Sequence, residues 1–170
     1  MKTNSETEPT TEKSKSSQHE NRRQISTALI LQINKVTFGH LYEWAGRFRN
    51  TTVKVGAFIP PEPHQVPNLM YQLADELNHQ LKYTETEDRL VGTLAYCHHR
   101  MVFIHPFNNG NGRTARLLTN LLAYKNGYKD LNLYYRSGEK REVYIKAIRS
   151  ADKNDFALLE ELIRKELVRF

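Results

Sequence analysis

The side chains best suited to chemistry lie between residues 105 and 116, in the string His-Pro-Phe-Asn-Asn-Gly-Asn-Gly-Arg-Thr-Ala-Arg. A histidine such as His105 can act as a general base, because its unperturbed pKa of about 6.5 leaves it largely neutral at cellular pH. Arg113 and Arg116 are three residues apart, so they would share one face of a helix and could both bind phosphate oxygens. The string therefore predicts a base beside a binding site for a polyphosphate.

Two apolar stretches of helical period must hold this string in place. Apolar residues recur at close to helical spacing from 90 to 104, and Pro106 disfavours helical geometry in the residue before it. Leucines restart a helical stripe at 117–122. Residues 109–112 are therefore predicted to form a turn that opens a helix, where backbone N–H groups and the helix dipole favour phosphate.

Each of these features also has an ordinary structural explanation. A single histidine is more often structural than catalytic, and an arginine pair at this spacing usually lies on a solvated helix face. The coincidence of both features with a glycine-containing turn and an apolar approach favours the functional interpretation.

The string 105–116 resembles the signature of the Fic branch of the Fic/Doc family, His-Pro-Phe-x-Asp/Glu-Gly-Asn-Gly-Arg-x-x-Arg. The one fixed position that differs is Asn109, and this asparagine resembles the family subgroup called mobile mystery protein B. The resemblance covers about residues 29–165. It implies a mainly α-helical Fic fold, a helical bundle with a short β-hairpin flap over the active site.

The resemblance further implies that AMP moves from ATP to a Ser, Thr or Tyr hydroxyl of a target protein. His105 would be the base that takes the hydroxyl proton. The residues that would bind the nucleotide are Gly110, Asn111, Gly112, Arg113, Arg116 and Tyr144. Tyr144 is equally well explained as a buried helix tyrosine. The Doc branch transfers phosphate instead, but Gly112 differs from the Doc type of string.

Magnesium is the further cofactor that the resemblance implies, and Asn109 stands at its position. Mg²⁺ is usually bound through one or two carboxylates together with phosphate oxygens, whereas asparagine offers a neutral carbonyl oxygen. We therefore expect weaker metal binding and a less efficient enzyme. The alternative is a module that binds a nucleotide or a partner protein without turnover, or a toxin-like member of a toxin–antitoxin pair.

The hydrophobic period changes after residue 50, and prolines at 60, 61, 63 and 67 end the changed region. In the family, a flap at this place pairs with an extended stretch of the target, and backbone pairing makes little demand on sequence. The predicted target flap consists of Val53, Lys54, Val55, Gly56, Ala57, Phe58 and Ile59. A plain solvent-exposed hairpin would give the same pattern. Just before it, residues 44–49 resemble the family's Trp-Ala-Gly-x-x-Arg segment, which covers the core.

The start of the chain is rich in Thr, Ser, Glu and Lys, so residues 1–18 are predicted to be a flexible tail and 19–170 a single domain. At their junction Ser16, Glu20 and Asn21 fit the inhibitory pattern Ser/Thr-x-x-x-Glu-Gly/Asn of many Fic proteins. In that pattern the glutamate pairs with the second motif arginine, here Arg116. A helix N-cap with a first-turn glutamate would read the same way.

Composition narrows the remaining choices. The chain has 170 residues and a net charge of +6, but its basic residues are scattered among acids, so nucleic-acid binding is not predicted. The single Cys97 excludes an internal disulfide and fits a reducing cytoplasm, and no apolar run is long enough to span a membrane.

Residues 25–36 are dense in apolar side chains and are predicted to form a central helix. His98 and His99 should face different ways, one packed near the site and the other exposed. The target, an antitoxin partner and self-association stay open.

Overall fold

The computed structural model describes residues 24–170, and within them the chain forms six α-helices, the first two separated by the long connection 39–65. The prediction of a mainly α-helical bundle is confirmed. None of these helices combines the length and apolar character needed to cross a membrane. In chain order the helices are α1 Thr27–Phe38, α2 Val66–Gln80, α3 Glu87–Ile104, α4 Asn111–Lys125, α5 Glu139–Ala151 and α6 Ala157–Glu166.

Helix α3 lies at the centre of the bundle, packed against α4, α2 and α6. Its start is capped by Thr86, whose hydroxyl accepts from the Arg89 N–H, and Glu87 follows in the first turn where the helix dipole favours an acid. Leu94 and Met101 are completely buried. Burying a side chain of this size contributes about 1.5–3 kcal/mol, so α3 is a stiff support for the residue at its C-terminus.

Helix α1 lies at the edge of the bundle, and the prediction of a central helix was wrong. It contacts α4 and α2, and its buried residues recur on one face at Ile30, Asn34 and Phe38. Val36, on the opposite side, is 74% exposed. The high apolar content of α1 therefore did not lead to burial on every side, because within residues 24–170 helices cover only one face of it.

The segment between α1 and α2 contains the predicted flap, and its strand pairing is less extensive than that of the predicted β-hairpin. The N–H of Val55 donates to the Phe58 carbonyl at 2.9 Å and the reverse bond is 3.0 Å, across a turn in which Gly56 has φ +60°. This single bridge is the extent of the pairing among residues 51–59 of the described chain. Pro60 and Pro61 follow at once, and a proline has no N–H to extend a ladder.

Candidate active site

His105 ends helix α3 in the left-handed backbone conformation, with φ 52° and ψ 58°. Its N–H still donates to the Met101 carbonyl at 3.2 Å, which closes the last helical turn. Pro106 then prevents the helix from continuing, because its ring excludes the necessary N–H. The helix stop and the candidate base are therefore the same residue.

The hydrogen bonding of His105 fixes which ring nitrogen is free. Nδ1 lies 3.3 Å from the Val102 carbonyl oxygen, and since a carbonyl can only accept, Nδ1 carries the hydrogen. Nε2 is then the nitrogen with a lone pair. Burial lowers the pKa of the half-buried imidazole, the bond to Val102 opposes this, and the charge of Arg49 lowers the pKa further. A neutral imidazole with Nε2 unprotonated is the form that a general base needs.

The turn between α3 and α4 is closed by Asn111. Its Oδ1 accepts from the Phe107 N–H and its Nδ2 donates to the Phe107 carbonyl, both at 2.8 Å. Both residues are buried. The Asn111 side chain, predicted to hold phosphate, is thus used inside the protein, and its contribution to an anion would come from its backbone N–H in the first turn of α4.

Gly110 brings this turn against helix α1. It has φ +75°, and a Cβ added there would lie 2.5 Å from the ring of Phe38, so only glycine allows the approach. The Thr114 hydroxyl donates to the Gly110 carbonyl at 3.1 Å and accepts from Asn34 Nδ2 at 3.2 Å. Asn34 in turn accepts from the Gly46 N–H at 2.9 Å. This chain of bonds ties the turn to α1 and to the 44–49 segment.

Both motif arginines rest on aromatic rings. The guanidinium of Arg113 lies 4.4 Å from the centre of the Phe38 ring, and that of Arg116 lies 5.0 Å from the centre of the Tyr134 ring. Within residues 24–170 neither arginine forms an ion pair. In this part of the chain, two positive groups are therefore held in place without an acid that neutralises them.

These parts surround an open cleft with a volume of about 270 Å³. It combines a base, a helix N-terminus and two arginines, and no acidic residue lines it in the described part of the chain. Such a site suits an anion with several phosphate groups. The residues that line the cleft are His105, Asn108, Asn109, Gly110, Asn111, Gly112, Arg113 and Arg116.

Asn109 lies at the exposed lip of the cleft, with its Oδ1 accepting from the Gly110 N–H at 2.6 Å. This oxygen is neutral and already hydrogen-bonded. In the region from residue 24 onward, the chain has no cluster of three His, Cys, Asp or Glu that could hold a metal ion. These residues do not form a magnesium site by themselves, because the ion needs charged oxygens and none of the residues that line the cleft carries one.

Tyr144 stands behind the cleft rather than in its lining. Its hydroxyl lies 2.9 Å from Nε2 of His98, whose Nδ1 is 3.3 Å from the Thr119 hydroxyl. Thr119 already donates to the Ala115 carbonyl, so it accepts from Nδ1, and Tyr144 donates to Nε2. Burial raises the pKa of Tyr144 to about 12, an effect that the charge of nearby Arg116 opposes.

The two neighbouring histidines are both buried, so the expectation that one would be exposed was wrong. His99 is 3% exposed and its Nε2 lies 2.9 Å from Asp152, while His98 faces Tyr144. Helix α3 is central, so both histidines are covered by neighbours: His98 by Thr119 of α4 and Tyr144 of α5, and His99 by Asp152 and Phe156 between α5 and α6.

The flap is docked on the helices through Phe58. Its ring lies 5.4 Å from that of Phe103 in α3 and 4.9 Å from the guanidinium of Arg149 in α5. Asp152 holds Arg149 at 3.0 Å. Ahead of the flap, the Thr51 hydroxyl lies 3.4 Å from Oδ1 of Asn108, so the segment begins at the edge of the cleft.

Arg49 is the residue of this region that sequence reasoning gave no role. It is 2% exposed, and its Nε donates to the carbonyl oxygen of His105 at 2.7 Å. The sequence analysis placed it in a segment that merely covers the core. The available signal was the presence of a charged residue between Phe48 and the predicted flap. It could not identify the partner, because the partner His105 lies 56 residues away in the sequence.

Some predicted residues lie outside the described part of the chain. Ser16, Glu20 and Asn21 precede residue 24, as does the predicted tail at 1–18. The pairing of Glu20 with Arg116 and the domain boundary at residue 19 therefore stay predictions.

Comparison with known proteins gives a consistent assignment. A sequence profile described as Fic/DOC family matches residues 24–123. Protein adenylyltransferase Fic of Culex quinquefasciatus is 34% identical over 128 residues, which are 75% of this chain and 25% of that protein. Protein adenylyltransferase fic-1 of Caenorhabditis elegans is 34% identical over 133 residues, with 78% and 25% covered. The chain thus spans about a quarter of the length of these curated relatives.

Solved structures share its fold. Fic-1 from C. elegans superposes with a TM-score of 0.70 at 29% identity, covering 86% of this chain and 42% of that one. BepC from Bartonella tribocorum, solved with bound AMPPNP, gives a TM-score of 0.74 at 17% identity, covering 87% and 77%. These likenesses confirm the fold that the motif string led us to expect.

Proposed function

The chain belongs to the Fic/DOC family, and from this we propose that it is a protein adenylyltransferase, which moves AMP from ATP to a Ser, Thr or Tyr hydroxyl of a target protein. The observation that carries the proposal is the free Nε2 of His105 at the same cleft as Arg113, Arg116 and the first turn of α4. The names of the curated relatives support it.

In the proposed reaction the hydroxyl oxygen of the target attacks the α-phosphorus of ATP. His105 Nε2 accepts the hydroxyl proton, the new bond from the target oxygen to phosphorus forms, and the bond from the α-phosphorus to the bridging oxygen breaks. Pyrophosphate leaves with the electron pair of that bond. Arg113, Arg116 and the N–H groups at the start of α4 oppose the negative charge on the phosphates.

The electrostatics of the cleft suit this chemistry. The pKa of His105 is lowered, so its imidazole is neutral at cellular pH and can accept a proton without first losing one. The two arginines sit on aromatic rings before any ligand arrives, so little reorganisation is needed when ATP binds.

We assign Mg²⁺ a place with the nucleotide rather than with the protein. Asn109 would be its protein contact, while the phosphates of ATP would supply the charged oxygens. When bound, the ion would neutralise phosphate charge. The asparagine at 109 is also the feature by which we place the chain in the subgroup resembling mobile mystery protein B. A reducing cytoplasm, suggested by the lone buried Cys97, is the location we propose.

The target is proposed to dock on the flap at residues 53–59. Phe58 anchors the flap on α3 and α5, while Lys54, Gly56 and Ala57 are exposed. An extended target segment could pair with this exposed backbone, which would bring a hydroxyl to the neighbouring cleft.

The deciding experiment compares two labels. The full chain is incubated in a lysate with Mg²⁺ and ATP labelled on either the α- or the γ-phosphate, and adducts are identified by mass spectrometry. Transfer of the α-label alone, lost in His105→Ala and kept in His40→Ala, supports the proposal. Transfer of the γ-label would make the chain a phosphate donor, and ATP binding without transfer would make it a nucleotide-binding module.

Inhibition from the N-terminal side is a second proposal, supported by the unpaired charge of Arg116 in the described region. If Glu20 pairs with Arg116, Glu20→Gly should increase self-labelling. Glu12→Gly removes an acid elsewhere in the same stretch and should have no effect. Equal labelling in the two variants would remove this proposal.

A further inference from the structure

Arg49 is a buried charge without a carboxylate at salt-bridge distance in the described region. It is 2% exposed, and the nearest acidic influence is the exposed Glu62, whose charge acts on it from the flap side. A buried guanidinium is costly unless its N–H groups are hydrogen-bonded. Its hydrogen bonds therefore indicate what keeps it there.

One side of Arg49 holds the end of helix α3. Its Nε donates to the His105 carbonyl at 2.7 Å, and one Nη2 hydrogen reaches the Ile104 carbonyl at 3.4 Å. Its backbone N–H donates to the Pro106 carbonyl at 2.8 Å. Arg49 thus grips three successive carbonyl groups around the residue that carries the base.

The other side of Arg49 holds both ends of the flap. Nη1 donates to the Thr51 carbonyl at 2.9 Å, and Nη2 donates to the Pro61 carbonyl. Residues 53–59 lie between these two points. The planar guanidinium of Arg49 therefore links the backbone at both ends of the flap to the backbone of His105.

We propose that Arg49 is a positioning residue that fixes the target-binding flap relative to the base His105. The inference rests on the proposed adenylyl transfer and assigns a role within it. Lysine could not replace this group, because its ammonium lacks the rigid fork of donors that reaches several carbonyls at once. Arg49 is not among the residues that line the cleft, and it acts through the backbones of His105 and of the two ends of the flap.

The charge of Arg49 has a separate effect on His105. The charged groups around the imidazole are Arg49 on the flap side, with Glu62 beyond it, and Arg113 and Arg116 across the cleft. Removing the charge of Arg49 should raise the pKa of His105, whereas a lysine would keep much of that charge. The positioning effect of Arg49 and the effect of its charge can therefore be distinguished by comparing Arg49→Lys, which keeps the charge, with Arg49→Gln, which removes it.

The test compares Arg49→Lys, Arg49→Gln and the matched control Arg47→Lys, whose side chain is exposed in the same segment. Arg49→Lys should lower kcat for transfer of α-labelled AMP by about tenfold or more, the scale expected for a misplaced reacting group. The Kd for ATP should stay within about twofold, since the nucleotide cleft is not altered. Arg47→Lys should change neither quantity. Equal losses of ATP binding and transfer in Arg49→Lys would show a general structural role and overturn the proposal.

A second readout does not need turnover. The titration of His105 is followed by NMR in the full chain without nucleotide, and amide exchange is measured across residues 51–61. Arg49→Gln should raise the His105 pKa, Arg49→Lys should keep it near the wild-type value, and both should accelerate exchange at 51–61. Unchanged exchange in Arg49→Lys would overturn the positioning role. A wild-type chain that transfers nothing would refute the proposed function, and these measurements would still decide the role of Arg49.

Discussion

The side chain of Asn111 pairs with the backbone of Phe107 through two hydrogen bonds, both 2.8 Å long. The pair is buried and closes the turn on which the cleft is built. Asn111→Ala should lower the free energy of unfolding by about 2–4 kcal/mol, because it leaves a buried N–H and a buried carbonyl without partners. Urea unfolding measures this. The exposed Asn108→Ala should change it by no more than about 0.5 kcal/mol; equal values for the two variants would contradict the structure of the turn.

Gly110→Ala tests the contact between the turn and α1. At φ +75° and against the Phe38 ring, a methyl group should cost about 2–4 kcal/mol through backbone strain and overpacking. ATP affinity measured by calorimetry should fall by about tenfold or more as the turn shifts, equivalent to about 1.4 kcal/mol. Gly127 has φ +86° but open space around it, so Gly127→Ala should show only the strain of about 1–2 kcal/mol. Unchanged ATP binding in Gly110→Ala would separate the turn from the nucleotide site.

Buried His98 should make stability depend on pH. Burial lowers the pKa of His98 to about 3, from an ordinary value of 6.5. Below pH 6.5 the unfolded chain takes up a proton that the folded chain does not. The contribution of neutral His98 to the free energy of unfolding is therefore fully present above pH 6.5. It decreases as the pH falls toward 3, by up to about 1.4 kcal/mol per pH unit.

His98→Gln removes this titration, so the variant should lose less stability than the wild type between pH 7 and pH 5. Urea unfolding at the two pH values gives the difference. His40→Gln changes an exposed histidine and should keep the wild-type dependence. Parallel curves for wild type and His98→Gln would mean that His98 is not held neutral.

Asn109→Asp places a carboxylate at the lip of the cleft. If Mg²⁺ enters with ATP and contacts this position, the Mg²⁺ concentration that half-saturates ATP binding should fall by about tenfold, or about 1.4 kcal/mol. Asn108→Asp adds the same charge one residue earlier and serves as the control. A similar gain in both variants would indicate a general charge effect, and no gain in either would argue against a metal contact at 109.

Phe58→Ala should release the flap from α3 and α5. Losing the contacts with Phe103 and Arg149 removes about 1–2 kcal/mol, so amide exchange at 53–59 should accelerate by about tenfold. Transfer to a protein target should fall while ATP affinity is kept. Phe170→Ala removes an aromatic ring that is 71% exposed at the C-terminus and should do neither. Normal transfer with a mobile flap would mean that the target docks elsewhere.

Local signals in the sequence were enough to predict the turn between α3 and α4, on which the cleft is built. Periodic leucines, Pro106 and Gly110 act within one turn of helix, and they correctly predicted a helix stop, a turn and a helix start. The extent of the flap was beyond such signals: alternation at 53–58 predicted strands, but the prolines that follow limit the pairing to one bridge.

The supports of the cleft were not predictable because they join distant residues. Arg49 bonds to His105 across 56 positions, and His98 meets Tyr144 across 46. Neither contact produces a periodic pattern in the sequence. Each depends on how α3 packs against the segment that carries the other residue of the pair. The same reason explains the error about His99, whose burial depends on elements far along the chain.

The two arginines stacked on Phe38 and Tyr134 have one more consequence, which concerns the end of the reaction cycle. Groups that are fixed before ATP arrives would grip the departing diphosphate as firmly as they gripped the substrate. Release of the by-product, rather than bond making, would then limit turnover in the proposed reaction, and added pyrophosphate would inhibit that reaction strongly.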